Sequence, residues 1–370
     1  MSAPAFAPAA CLLCAAWCFA AESPNWPVDP AKGFWLKVAS ANFEVYTTAG
    51  EDAGRNLVLR FERLRTVLRP ALAWAGSREK PVCIIAFQSN DEFQPYTPVG
   101  RASGFFLSGA RRDFVVLESP APETRTAAHE YGHVVIAQSG LQLPVWLTEG
   151  LAELYSNIDG GPSDTNVVVG RFIRGRVLSL RRDGWIGLSE LFSAGARSPV
   201  FTSPALVESA YAESWLLAHM LAMDPRYAGH FQSFLSVIQT SGAREAFDTV
   251  YGKSITQVER DLRAYLEAGQ ANARRLTGVP AETTESIEVQ READFEARLA
   301  LAEMLVGYSG RSEQAREVYR QMARDYPLRP EVEDGMAELY RFEGDPMQAS
   351  EHRARAALLQ APLLRSLLPH

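Results

Sequence analysis

Apolar and polar positions alternate along residues 43–48 (Phe-Glu-Val-Tyr-Thr-Thr), the period of a half-buried strand. Directly after it Leu57, Leu59, Phe61, Leu64 and Leu68 recur at roughly helical spacing and predict a helix over 51–68. Residues 82–87 and 114–117 are short apolar runs that read as strands, with 104–107 as a hairpin partner between them. From Thr124 to about Thr277 the pattern is mostly helical, broken by a Gly-, Arg- and Ser-rich stretch between Gly160 and Arg197. The polar segment 269–287, with Gly278 and Pro280, reads as a linker, and helical spacing resumes beyond it. The predicted class is α+β. A mixed strand and helix part covers 35–122, a mainly helical part 123–268, and an all-α segment 288–365.

In that last segment the chain matches itself at a displacement of 34: Leu305 with Leu339, Gly310 with Gly344, Gln314 with Gln348, Ala315 with Ala349, and Glu317 with Glu351. Such a period suits a helix-turn-helix unit, in which the glycine ends one helix and the alanine lets the next approach closely. The pattern resembles tetratricopeptide repeats. Pro327 falls near a proline common in that family, whereas Arg353 stands where the family has a large apolar residue. The resemblance implies a surface for a protein partner. Two copies are fewer than usually stack alone, so a neighbouring element is expected to cover an end. Two unrelated amphipathic hairpins are the alternative.

Composition narrows the functional classes. With 47% hydrophobic and 22% charged residues, and 37 Lys plus Arg against 44 Asp plus Glu for a net charge of -7, the chain is neither disordered nor a general nucleic-acid binder. Arg171, Arg174, Arg176, Arg181 and Arg182 are dispersed among apolar residues and are read as solvated or salt-bridged. Residues 1–21 read as a secretory signal: an apolar run, Ala9 to Ala21, closing on small residues, although no Lys or Arg precedes it. Residues 22–34, with Pro24, Pro27, Pro30 and Gly33, read as a linker. The apolar run of 13 residues is too short to cross a bilayer, so an exported protein, periplasmic or secreted, without a stable membrane span is expected. Cys83, the one cysteine beyond that segment, lies in an apolar strand and is read as core.

The sharpest chemical signal is His129-Glu130-Tyr131-Gly132-His133. It lies in 127–138, which reads as a helix ending before Gly140, with Thr124 and Thr126 as candidate caps. Four residues apart on a helix, two imidazoles share a face and can converge on one cation. Glu130, about 100° around the helix, sits beside that cation, where a carboxylate can take a proton from activated water. Glu149, sixteen residues after His133 in Trp146-Leu147-Thr148-Glu149-Gly150-Leu151-Ala152-Glu153, supplies a third donor from a second helix. Gly132 and Gly150 are read as points of close approach between the two helices. Glu153 is expected to accept a hydrogen bond from the far nitrogen of a ligating histidine, an exposed helical glutamate being the alternative. His219 and His230 have no partner at ligand spacing and are read as structural.

These residues resemble the gluzincins, and most closely the peptidase MA-like branch related to aminopeptidases. The resemblance implies a zincin-like domain over 35–268 that holds Zn²⁺ through His129, His133 and Glu149, with Glu130 as general base and a peptide or protein as substrate. It also implies an oxyanion-stabilising tyrosine some way downstream. Tyr211, sixty-two residues after Glu149, is the candidate, with half-buried packing as the alternative. Ala102-Ser103-Gly104-Phe105-Phe106 stands roughly where aminopeptidases carry Gly-Ala-Met-Glu-Asn but lacks the acidic residue, so exopeptidase specificity is not carried over. The 114–117 strand is expected to form the edge along which an extended peptide adds. Two functions stay open: a zinc metallopeptidase, or a non-catalytic zinc-stabilised scaffold acting through its repeats.

Overall fold

The computed structural model describes residues 34–72, 79–97, 103–119, 125–161, 163–269, 272–281 and 286–361. The expected signal segment, all of the first linker except Phe34, Thr124 and the last few residues of the repeat segment lie outside the described residues. Strands β1 (Leu36–Ala39), β2 (Phe43–Thr47), β3 (Val82–Ala86), β4 (Gly104–Ser108) and β5 (Asp113–Leu117) are followed by β6 (Ile158–Asp159), β7 (Asn166–Val169), β8 (Arg274–Thr277) and β9 (Glu288–Gln290). Six of them form one sheet in the order β4-β5-β3-β2-β1-β9, and β6-β7-β8 form a small second one. The β2/β3 and β3/β5 pairs are parallel, while β4/β5, β1/β2 and β1/β9 are antiparallel.

The helices are α1 (Glu51–Leu72), α2 (Asn90–Phe93), α3 (Thr126–Ser139), α4 (Val145–Ser156), α5 (Arg174–Arg182), α6 (Leu188–Ser193), α7 (Pro199–Thr202) and α8 (Val207–Met223). They continue as α9 (Pro225–Ala228), α10 (Phe231–Ser241), α11 (Ala243–Tyr251), α12 (Ile255–Ala268), α13 (Asp294–Gly307), α14 (Ser312–Asp325), α15 (Pro330–Glu343) and α16 (Pro346–Gln360). The class is α+β with a helical C-terminal part. No helix among the described residues is long and apolar enough to cross a membrane.

The sheet is buried on both faces. Val82, Ile84 and Ala86 of β3 join the core beneath α1 and α3, whereas Cys83 and Ile85 join a second core with residues of α13, α14 and α15. This alternation explains why 82–87 reads as an unbroken apolar run, as strands covered on both sides do. Each large apolar side chain so buried contributes about 1.5–3 kcal/mol, against a net stability of about 5–15 kcal/mol for a domain, so neither face can be left bare. The C-terminal helices therefore share a core with the N-terminal sheet, and the sheet covers the end of the two helical hairpins. Within those hairpins α14 and α16 start 34 residues apart, and Gly310 and Gly344 both adopt left-handed φ, +84° and +80°.

Three expectations are corrected. Residues 274–277, placed in a linker, form β8 against β7, and Glu288–Gln290 pairs with β1. Both strands are short and largely exposed, so backbone pairing to an existing edge holds them and no apolar pattern announces them. Residues 114–117 are not the edge, because β5 lies between β3 and β4 and leaves β4 outermost. Gly132 does lie against α4, where an added Cβ would come 3.2 Å from Ala152 Cα, but Gly150 faces α8, where a Cβ would fall 2.3 Å from the Ser214 carbonyl oxygen.

Two outcomes follow from this packing. Gly150→Ala meets rigid backbone and should cost about 1–3 kcal/mol or more, and Gly132→Ala less; paired urea melts give the ranking. Glu213 on α8, 1% exposed, accepts the Ile186 and Gly187 N–H groups at 2.8 and 3.3 Å, yet burial pushes its carboxyl from 4.5 up to about 7. The native state therefore holds a proton that the unfolded chain releases. The resulting stabilisation is present below about pH 4.5 and is lost as pH rises through about 7. Wild type should lose stability relative to Glu213→Gln over that window in denaturation curves taken at successive pH values.

Candidate metal centre

Helix α3 is fixed before it offers any chemistry. The ring of Tyr131 packs edge-on against Phe43 of β2 and Phe61 of α1, at centroid separations of 5.5 and 5.7 Å. At its other end Gln138 donates to Asp113 Oδ2 and to the Lys80 carbonyl, each at 2.9 Å, and Gly140 closes the helix in the left-handed conformation. Thr126 does not cap. Its hydroxyl pairs with Ser103 Oγ at 2.9 Å, tying the start of α3 to the residue before β4.

On that fixed helix His129 and His133 turn their Nε2 atoms to within 3.1 Å of each other, and Glu149 Oε2 from α4 lies 3.4 and 3.5 Å from them. Three donors arranged tetrahedrally about 2.0–2.1 Å from a zinc-sized ion stand about 3.3 Å apart, so the triangle has the dimensions of such a site. The His129-His133-Glu149 group can hold a metal ion, and among the described residues no second group of this kind occurs. Glu149 Oε2 supports the fit, being buried with no hydrogen-bond donor of its own. Burial would raise the Glu149 carboxyl, but the facing imidazoles outweigh it and hold the group well below the usual carboxylate range. Burial likewise opposes the charged form of His129, and the facing Glu149 carboxylate with the charges of Glu130 and Glu153 outweighs that too, raising the imidazole.

Glu130 lies beside the triangle. Its Oε2 is buried without a partner, and burial raises its carboxyl despite the nearby imidazoles and a backbone bond from Phe106. Phe106 also stacks on the His133 ring at 6.5 Å. His133 Nδ1 has no hydrogen-bond partner, whereas His129 Nδ1 faces Glu153 Oε1 at 3.7 Å, longer than a hydrogen bond. Glu153 is instead held by Arg176 at 2.6 Å and Arg125 at 3.0 Å. Burial raises its carboxyl, but the Arg176 bond together with the charges of Arg176, His129 and Arg125 more than reverses this, and the group stays a carboxylate.

The centre opens into a cleft of about 440 Å³ bounded by His129, Glu130, Ser103, Arg176, Glu208 and Tyr211, among others. The Tyr211 ring lies 6.3 Å from that of His129 and carries the Arg176 guanidinium 5.3 Å above it. Arg176, salt-bridged as expected, thus proves to be a cleft residue. Nothing local in the sequence marks it, since Glu153 lies 23 residues away on another helix. His219 stays outside the site, bonded at 2.8 Å to Tyr265 Oη and 2.6 Å to the Gly170 carbonyl oxygen, and its burial lowers it to about 4. His230 is exposed. Cys83 is buried, and burial pushes its thiol up to about 12.

No family model matches the chain, and no curated protein matches it. The resemblance to gluzincins accordingly rests on the residues just described. Removing one corner of the triangle tests it: His133→Ala should lose most of its bound metal in equilibrium dialysis against Zn²⁺, by about 10²-fold or more in affinity, and metal retained at wild-type affinity would show that other residues ligate.

Proposed function

We propose that the protein is a zinc-dependent metallopeptidase that hydrolyses peptide bonds. The observation that carries this reading is the convergence of His129 Nε2, His133 Nε2 and Glu149 Oε2 beside an open cleft lined by His129 and by Glu130, whose Oε2 is buried without a partner. Held by those three donors, Zn²⁺ supplies Lewis acidity that polarises a carbonyl and acidifies water.

The remaining work falls to the chain's own groups. Glu130 takes a proton from the attacking water and returns it to the leaving amine. Burial raises its carboxyl, which makes it a stronger base than an exposed glutamate. Tyr211 presents a phenolic O–H to the oxygen that gains charge as the carbonyl is attacked, and Arg176 over its ring favours that charge. Glu153, pinned by two arginines, keeps a carboxylate 3.7 Å from His129 Nδ1, where its charge favours an N–H on that nitrogen and leaves Nε2 for the metal. The edge strand β4 is suited to hold the substrate backbone. Because Ser103 O accepts from Glu118 N, the alternate residues Gly104 and Phe106 turn their backbone groups away from β5. Phe106 aims its outward N–H at Glu130, and Gly104 lines the cleft.

The cleft also favours an enzyme over a zinc-stabilised scaffold, since a purely structural site has use neither for an open approach nor for a base beside the metal. The test is zinc content together with cleavage of an unbiased peptide mixture by wild type and Glu130→Gln. About one zinc per chain is expected in both, with turnover reduced about 10²–10⁴-fold in the variant. Equal cleavage by the two would remove Glu130 from the mechanism, and no cleavage by either would move the assignment to the scaffold.

A further inference from the structure

On the sheet face away from the metal centre, a cavity of about 470 Å³ lies between the β4–β5 turn and helices α13, α14 and α15. That volume and a mainly apolar wall, including Phe114, Val306 and Phe342, are those of small-molecule sites. Two polar groups in it are unspent. Tyr319 is fully buried, lines the cavity and leaves its hydroxyl without a hydrogen-bond partner. Its ring is pressed against α15 at Gly335, where an added Cβ would come 2.3 Å from it, so the phenol cannot swing away to find one. Burial keeps that phenol protonated, a donor that needs an acceptor.

The second unspent group is Arg111, at the exposed turn, which lines the same cavity and has no carboxylate partner among the described residues. The other cations around the cavity are already committed: Arg112 to Glu303 at 2.5 Å, Lys80 to Asp113 at 2.7 Å and Arg341 to Glu338 at 2.8 Å. An apolar chamber in an acidic protein thus keeps one spare positive charge and one spare O–H donor. We infer that it binds a small apolar carboxylate, whose body fills the chamber while its anionic end meets Tyr319 Oη and Arg111. Such a group occurs on a free organic acid or on the C-terminal residue of a peptide, and both present the same chemistry.

Isothermal titration of the full chain with octanoate and with N-acetyl-phenylalanine tests this, alongside the uncharged 1-octanol and N-acetyl-phenylalaninamide. Saturable binding of one acid per chain is expected, about tenfold weaker for the uncharged counterparts and about tenfold weaker in both Tyr319→Phe and Arg111→Ala. Tyr319→Phe keeps the ring and Arg111 is exposed, so both variants should melt like wild type. Tighter binding of octanoate would identify a free acid as the source, and tighter binding of N-acetyl-phenylalanine a peptide end. Failure of both acids to bind at millimolar concentration, equal binding of the uncharged molecules, or binding undiminished in both variants would overturn the assignment. None of these results bears on cleavage by Glu130.

Discussion

The central strands of the sheet are apolar on both sides, and the placement of α1, α3 and α13 follows from the need to cover them. Ile84 and Val115 demand one cover and Ile85 and Val116 another, and all four are fully buried. The first cover is α1 with α3, and α3 carries the two histidines, so the metal-ligating face is positioned by ordinary core packing through Tyr131. The second cover comes from the far end of the chain, and β9 joins that end to the sheet by backbone pairing with β1. A chain with two apparent domains in sequence order is in this way one packed unit around a shared sheet.

Helix α8 is the other organising element. It passes so close to α4 that residue 150 has to be glycine, and the same approach brings Tyr211 and Glu208 to the cleft that α4 lines with Glu153. The acidic cleft floor is balanced there by arginines. Glu153 sits between Arg125 and Arg176, and Arg176 in turn reaches Glu208 at 2.7 Å. Two buried carboxylates within one helical turn, Glu149 and Glu153, would repel each other if bare; one faces two imidazoles and the other two guanidinium groups, so each stays charged for its own reason.

Much of this was legible in the sequence where the cause is local. The helix of 127–138, the strands at 43–48, 82–87 and 114–117, the hairpin partner at 104–107 and the approach of Gly132 to α4 all follow from periodicity, motif spacing and glycine placement, and the structure has them within a few residues. What was not legible depends on partners remote in sequence. Strand β9 has no apolar pattern because a three-residue edge strand needs none. The outer position of β4 depends on strand order, which hydrophobic periodicity does not encode, and the contact of Gly150 with Ser214 spans 64 residues. In sequence Arg176 is one of several dispersed arginines, and only the position of α5 beside the cleft sets it apart.

The way α13 is seated gives the molecule a direction of tolerance. At that end the helical pair is wedged under the sheet, with Gly307 close against Leu107 and Gly109, so trimming it would expose Cys83, Ile85 and Phe105 to water. At the other end α16 packs on α15, and an extra hairpin grafted there would lengthen the array away from the sheet. Modular growth and loss of such units is therefore asymmetric in this architecture: permissive outward from α16, and barred inward at α13.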